Sequence, residues 1–145
     1  MRQIIDLLRA GMVTTSADET QQAAEALARI LPADTTLALH GNLGVGKTTF
    51  VQGLARGFGL IDHITSPTFT IYNVHRGPNR TLIHLDAYRI ENSREVDDLL
   101  LEDFLTSPWC LAVEWPEKIG DWLPADAWHV ELSIGPQQHH AIKLR

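Results

Sequence analysis

Nine consecutive residues, 41–49, have the types and spacing of a phosphate-binding loop. Their sequence, GNLGVGKTT, fits the P-loop pattern G-x-x-x-x-G-K-[ST]. Glycines let the backbone N–H groups turn inward around a phosphate, because no Cβ obstructs them. Lys47 is then placed to reach the β- and γ-phosphates, and Thr48 to offer its hydroxyl to Mg²⁺. The predicted nucleotide-binding residues of this loop are Gly41, Asn42, Leu43, Gly44, Val45, Gly46, Lys47, Thr48 and Thr49.

The segments on either side of the loop favour the same interpretation. Residues 36–40 form a short apolar run that predicts a buried strand, and residues 48–58 carry apolar side chains at helical spacing. This order sets a helix N-terminus, the positive end of its dipole, against the bound anion. The competing interpretation is a glycine-rich turn between a strand and a helix, with Lys47 exposed to solvent.

Two carboxylates each follow an apolar strand. Asp86 comes after residues 82–85, and Glu114 comes after residues 111–113. In an open α/β sheet, ligands bind outside the carboxyl ends of the strands, so both side chains are expected beside the phosphates. Asp86 is the Walker B candidate, and Glu114 is either a second metal partner or the group that orients the attacking water; for each, the alternative is a solvated acid. The predicted metal ligands are Thr48, Asp86 and Glu114, and the predicted catalytic residues are Lys47, Asp86 and Glu114.

The other residues with reactive side chains have structural interpretations. His84 interrupts the apolar run before Asp86 and is interpreted as a core or hairpin histidine rather than a catalytic base. His139 and His140 are expected in a polar surface turn. Cys110 lies within an apolar run, where it is most simply a small buried hydrophobe.

The remaining patterns predict elements that alternate between helix and strand. Ser16 to Glu19 is a capping-box signature, and the apolar face that follows continues until Pro32. A hairpin is expected from residues 70–74 and 82–85, a short acidic helix after residue 92, and a pair of late strands at residues 128–134 and 141–144. The predicted fold class is α/β, a P-loop NTPase-like three-layer fold with a central mixed, mainly parallel sheet.

Length and charge limit the possible functions. One hundred and forty-five residues with 44% hydrophobic side chains predict a single domain, 1–145. A net charge of −6 argues against a broad basic face for nucleic acid, so any contact with RNA is expected to run through a partner. Residues 1–12 are too charged for a signal peptide, and no segment has the ~20 apolar residues of a membrane span. We expect a soluble cytoplasmic protein with no membrane contact, in which residues 1–12 are an extension of unknown role.

Four segments together resemble the TsaE family, formerly called YjeE. They are the loop 41–49, Ser-Pro-Thr-Phe-Thr at 66–70, His-Leu-Asp-Ala-Tyr-Arg at 84–89 and Glu-Trp-Pro-Glu-Lys at 114–118. The resemblance covers residues 16–132. TsaE proteins are small bacterial P-loop ATPases required for N6-threonylcarbamoyladenosine, the modified adenosine beside the anticodon in tRNA. The chain departs from the family at Asn42, where an aspartate is usual, and at Val45, where an alanine is usual.

The resemblance implies ATP and Mg²⁺ as cofactors, slow and partner-dependent ATP hydrolysis, and a complex with the partners TsaD and TsaB through which tRNA is reached only indirectly. It also implies nucleotide contact near Asp18 or Glu19 at the first helix, by Thr68 in a switch-like loop 65–70, and by Trp115. The alternative is a small-molecule P-loop kinase, because phosphoryl transfer to a hydroxyl uses the same loop and metal. A third possibility is a nucleotide-gated binding subunit with negligible hydrolysis.

Overall fold

A seven-stranded sheet forms the centre of the computed structural model, which describes residues 2–42, 44–61, 63–67 and 70–145. The strand order across the sheet is β1-β7-β6-β2-β5-β4-β3. The strands are β1 (Met12–Thr14), β2 (Thr35–His40), β3 (Tyr72–Arg76), β4 (Thr81–Asp86), β5 (Trp109–Glu114), β6 (Trp128–Ile134) and β7 (His140–Leu144).

The four central strands β6, β2, β5 and β4 run parallel, and the outer pairings are antiparallel. Of the parallel strands, β2, β4 and β5 are buried along nearly their whole length because both of their faces are covered, whereas β6 and its antiparallel neighbour β7 alternate. The expected hairpin is formed by β3 and β4, and the expected late pair by β6 and β7. The predicted α/β class with a mixed sheet is confirmed.

The main helices are α1 (Arg2–Ala10), α2 (Ala17–Ile30) and α3 (Lys47–Gly57). The expected cap of α2 is present, since Ser16 Oγ accepts a hydrogen bond of 3.1 Å from the Glu19 N–H. The Glu19 carboxylate in turn accepts from the backbone N–H of Thr15 at 2.8 Å. The acidic helix expected after residue 92 is only one turn, α4 (Arg94–Asp97), followed by a 3-10 helix at Leu101–Phe104.

Two apolar clusters occupy the two faces of the sheet. Helices α1, α2 and α3 cover one face, and α4 with the short 3-10 helices covers the other. Helix α2 lies close against α3 because α3 presents Gly53 and Gly57 to it; a Cβ on Gly53 would stand 2.7 Å from the Ala24 side chain. This contact positions α3, the helix that begins at Lys47.

The segment before Ser16 packs as part of the fold. Leu8 of α1 is fully buried, and Ile4 and Ile5 pack against the same cluster. Strand β1 then pairs with β7 at the edge of the sheet. Residues 2–14 therefore help to close the core beneath α2. None of the described helices is long and apolar enough to cross a bilayer.

Candidate functional site

The glycine-rich loop lies between the end of β2 and the start of α3. Gly44 and Gly46 have φ values of 80° and 96°, a backbone region that side chains with a Cβ rarely adopt. Gly46 is the N-cap of α3, and no side chain caps this helix end. The first N–H groups of α3 therefore remain available for an anion. Leu43, also predicted to contact nucleotide, lies outside the described residues.

Lys47 is held at the loop and is only 5% exposed. Its Nζ donates a hydrogen bond of 2.6 Å to the Gly41 carbonyl and lies 3.8 Å from the ring centroid of Trp115. Burial lowers the pKa of Lys47, while the charges of Glu114 and Asp86 act in the opposite direction. The alternative of a solvent-exposed lysine is wrong.

Asp86 and Glu114 are register partners at the ends of the neighbouring parallel strands β4 and β5. The Thr48 hydroxyl donates to Glu114 Oε2 at 3.4 Å, and Asp86 Oδ1 accepts from the Tyr88 N–H at 2.9 Å. Burial raises the pKa of Asp86, and the charge of Glu114 acts in the same direction. Two nearly buried carboxylates at one strand edge repel each other, so a cation beside them would be stabilised.

This donor set fits Mg²⁺ better than a softer metal. Within the described residues, no three His, Cys, Asp or Glu side chains could by themselves hold a metal ion. Magnesium commonly takes one or two protein oxygens, several waters and the phosphates of a nucleotide. Thr48, Asp86 and Glu114 supply oxygen ligands of that kind at the base of the loop.

A cleft of about 470 Å³ joins the loop to the two carboxylates. The predicted site residues in its wall are Gly44, Gly46, Lys47, Thr48, Thr49, Asp86, Glu114 and Trp115. Ser66, which belongs to the predicted switch-like loop 65–70, lines it as well. Tyr88 and Arg89 also line it, and site prediction from the sequence missed them. They closely follow Asp86 at the end of β4, and this position is the sequence signal that could have identified them.

Several predicted residues lie elsewhere. Gly41, Asn42 and Val45 line a second depression, on the β6 side of the loop. Glu19 is at the start of α2, where its carboxylate accepts hydrogen bonds from the backbone N–H and the hydroxyl of Thr15. It is not among the residues that line the cleft. Thr68 lies outside the described residues.

Trp115 has an unusual backbone that places its side chain in the site. Its φ is 58°, which is uncommon for a residue with a Cβ, and residues in such strained conformations cluster at functional sites. The indole ring lies 5.0 Å from the Tyr88 ring, centroid to centroid. The two aromatic rings form one wall of the cleft beside Lys47.

His84 contacts the site directly, which the sequence interpretation did not anticipate. The side chain is fully buried, as expected for a core histidine, but its Nε2 donates a hydrogen bond of 2.5 Å to Glu114 Oε2. The available signal was its place two residues before Asp86, on the same face of a parallel strand.

The expectation of a surface turn is wrong for His140. This residue begins β7, and its Nδ1 donates to the Val45 carbonyl of the loop at 3.1 Å. The physical reason is topological: β6 runs parallel to β2, so the return strand β7 starts at the same sheet edge as the loop. His140 therefore supports the underside of the loop.

A pair of histidines lies at the strands leading into the loop. His40 Nε2 and His129 Nδ1 are 2.8 Å apart, so one ring donates and the other accepts. Burial lowers the pKa of both rings, and Arg145 adds to this effect. The arrangement therefore requires at least one neutral ring.

Comparisons with known proteins agree with one another. Residues 14–142 match the family described as threonylcarbamoyl adenosine biosynthesis protein TsaE. Three relatives are described as tRNA threonylcarbamoyladenosine biosynthesis protein TsaE. The protein from Synechocystis is 45% identical over 69% of this chain and 66% of its own length. The protein from Treponema pallidum is 36% identical over 84% of this chain and 90% of its own length, and the one from Rickettsia bellii is 34% identical over 90% of each chain. The crystal structure of Bacillus subtilis YdiB has a TM-score of 0.78 at 27% identity, over 92% of this chain and 82% of that one.

Proposed function

This chain belongs to the TsaE family, and we propose that it binds and hydrolyses Mg-ATP in support of tRNA N6-threonylcarbamoyladenosine biosynthesis. One observation carries the proposal: the loop lysine, the first helical threonine and two strand-end carboxylates lie around one cleft. A structural turn has no need of buried charged side chains at this position, because burying them is unfavourable unless they are paired.

The loop and its helix would bind the triphosphate. Backbone N–H groups between Gly41 and Thr48 would donate to the phosphate oxygens, and the Lys47 ammonium would move from the Gly41 carbonyl to the β- and γ-phosphates. Trp115 lies against Lys47 and would exclude water from that contact. Charge-assisted hydrogen bonds of this kind are roughly twice as strong as neutral ones.

The two carboxylates and the threonine hydroxyl would bind the metal and orient the attacking water. Thr48 and Asp86 would hold Mg²⁺, directly or through water, and Glu114 would either complete this set or orient the water for in-line attack on the γ-phosphorus. Bound Mg²⁺ would supply charge neutralisation of the phosphates. As the resemblance to the family implies, we expect slow turnover by the chain alone.

We further propose that TsaD and TsaB are its partners and that tRNA is reached only through them. The net charge of −6 disfavours direct binding to RNA through a broad basic surface. Ser66, in the wall of the cleft, belongs to the predicted switch segment 65–70, which would report the bound nucleotide to a partner. We therefore also propose a cytoplasmic location.

Nucleotide binding is tested by titrating the chain with a fluorescent ADP analogue in the presence of Mg²⁺. Lys47→Ala should weaken binding by about 10- to 100-fold, since a charge-assisted hydrogen bond contributes about 1.5–3 kcal/mol. Lys143→Ala, which removes an exposed lysine of β7, is the matched control and should bind as the wild type does. Equal affinity for the ADP analogue in the Lys47 and Lys143 variants would contradict the proposal that the loop binds the nucleotide.

The partner assignment is tested by capturing the tagged chain with purified TsaD and TsaB in the presence of ATP, a non-hydrolysable ATP analogue or ADP. We expect association with the ATP-like state and weaker association with ADP. Absence of association in all three states would refute the partner assignment and leave the nucleotide site unaffected.

A further inference from the structure

A fully buried imidazole lies behind the candidate metal site. His84 is in the middle of β4, between Ile83 and Leu85, which are both fully buried as well. Its register partner on β5 is Ala112, whose small side chain leaves space beside it, and Glu114 is the next residue on the same face of β5. The ring therefore reaches diagonally across two parallel strands to the carboxylate.

The hydrogen bond to Glu114 is the only polar contact of this ring among the described residues. Nε2 donates to Oε2, because a carboxylate oxygen can only accept. Nδ1 is buried without a hydrogen-bond partner in the part of the chain that the structure describes. A core side chain of similar volume without polar atoms would avoid that penalty, so packing alone does not account for a histidine here.

Among the residues that the structure describes, the same carboxylate oxygen has one other hydrogen-bond donor, the Thr48 hydroxyl at 3.4 Å. That distance is long for a hydroxyl donor, whereas the contact from His84 is 2.5 Å. The orientation of the Glu114 carboxylate therefore depends mainly on His84. Without this contact, the carboxylate could rotate about its last side-chain bond, which is a soft torsion.

We propose that His84 is a positioning residue that holds Glu114 by Oε2 and thereby orients the second carboxylate oxygen toward the metal and phosphates. The inference rests on the proposed function, because it gives Glu114 a role toward Mg-ATP. His84 itself would contact neither substrate nor metal. Outer partners of this kind typically change metal affinity or activity by 10- to 100-fold.

Three substitutions separate this role from packing. His84→Gln keeps an amide N–H close to the position of Nε2, His84→Asn moves the N–H to about the position of Nδ1, and His84→Phe keeps a ring without a donor. Only the glutamine variant can still donate to Glu114. Thermal unfolding of each variant identifies any that does not fold, and the Gln and Asn pair decides the question if the Phe variant is lost.

The first readout is the affinity for Mn²⁺ of the complex with ADP, followed by electron paramagnetic resonance. We expect about 10-fold weaker Mn²⁺ binding in the Asn and Phe variants and restoration to within about twofold by Gln. The second readout is ATP turnover. In the Asn and Phe variants, kcat should fall at least 10-fold while KM changes less than about threefold. Wild-type behaviour of the Asn variant, or an equal loss in the Gln variant, would overturn the inference.

A double-mutant cycle tests whether His84 acts through Glu114. In a Glu114→Gln background, His84→Asn should have little further effect on Mn²⁺ affinity, because the group that it positions has already changed. A full additional loss would mean that His84 acts by another route, and the inference would fail. If the wild-type chain binds no Mn²⁺ in the presence of ADP, both the proposed function and this inference fail. If the wild type binds Mn²⁺ and the His84 variants bind it with the same affinity, only the inference is refuted.

The link between His84 and the metal site can also be tested in the wild-type protein. With ¹⁵N-labelled histidine, the buried Nε2–H of His84 should give a slowly exchanging proton resonance in the free protein. It should shift when Mg-ADP binds, because Glu114 then acquires new partners. A resonance that is unchanged by saturating Mg-ADP would contradict the link between His84 and the metal site.

Discussion

At the scale of single residues, burial determines the chemistry of the charged groups. Burial lowers the pKa of Lys47 and raises the pKa of Asp86, so each charged form is less favourable here than in water. A bound cation and the phosphates would compensate both groups at once. Burial also raises the pKa of Cys110 to about 12, so its thiol stays protonated, in agreement with its interpretation as a small hydrophobe.

The hydroxyl of Thr48 can be tested with a conservative pair of variants. Thr48→Ala should lower ATP turnover by about 100-fold, since it removes a Mg²⁺ ligand, and should also shift the Mg²⁺ dependence to higher concentration. Thr48→Ser keeps the hydroxyl and should remain within about threefold of the wild type. Steady-state phosphate release over a Mg²⁺ series measures both effects, and an alanine variant as active as the serine variant would rule out the hydroxyl as a ligand.

Some site residues could be predicted from the sequence because a local pattern marks each of them. The loop motif identifies Lys47 and Thr48, and the ends of apolar runs identify Asp86 and Glu114. The contacts from His84 to Glu114 and from His140 to Val45 could not be predicted, because they depend on which strands are neighbours. Strand order is a tertiary property, and no single segment of the sequence specifies it.

At the scale of elements, the contact between α2 and α3 positions the helix that follows the loop. Gly53→Ala would place a Cβ 2.7 Å from the Ala24 Cβ and closer still to the Gln21 carbonyl. We expect a net loss of stability, because overpacking costs about 1–3 kcal/mol, whereas alanine gains at most about 1 kcal/mol in helix propensity.

The matched control for this prediction is Gly120→Ala. Gly120 has a right-handed backbone, with φ of −53°, and a Cβ there would meet no described heavy atom within 4 Å. Urea unfolding should therefore show a lower midpoint for the Gly53 variant only. A Gly53 variant as stable as the wild type would mean that α2 and α3 are not in close contact.

The histidine pair on β2 and β6 predicts a pH dependence of stability. Burial, with help from Arg145, holds the pKa of His40 and His129 below the ordinary value of 6.5, although Glu131 acts against this. Glu117 also opposes the shift at His40. The unfolded chain therefore takes up protons more readily than the folded chain. The contribution of these two histidines to the free energy of unfolding is therefore fully present above pH 6.5 and is lost as the pH falls below that value.

This dependence can be measured by urea unfolding at pH 7.5 and pH 5.5. The double variant His40→Gln with His129→Asn keeps amide groups near the two bonded nitrogens but cannot titrate, so it should lose less stability between these pH values than the wild type. His63→Asn, an exposed position, is the control and should behave as the wild type does. The same loss in the double variant would contradict the assignment.

The elements differ in how well the sequence predicted them. Helix α2 and strand β2 have clear caps or unbroken apolar runs, and both are present nearly as expected. The acidic segment after residue 92 shortens to one turn because Leu100 adopts a left-handed backbone that ends the helix. Leu99 and Leu101 on either side of it pack in the second apolar cluster while Leu100 itself stays exposed, and helical periodicity contains no signal for this turn.

At the scale of the whole molecule, strand order brings the site together. Strand β2 lies between β6 and β5, and β4 follows, so the loop and both carboxylates share one edge of the parallel sheet. This is the edge at which open α/β sheets bind ligands. Residues 2–14 complete the β1 edge of the sheet and do not line the cleft, whereas Trp115 of the cleft wall packs against the second apolar cluster.

The most direct test of the central claim is single-turnover hydrolysis of γ-labelled Mg-ATP by the chain together with TsaD and TsaB. We predict that the wild type releases labelled phosphate into water, and that Glu114→Ala still binds ATP with reduced affinity but, when saturated with Mg-ATP, releases phosphate at least ~100-fold more slowly, as expected for a transition-state contact. Phosphate release by Glu114→Ala at the wild-type rate, or no release by the wild type, would contradict the account.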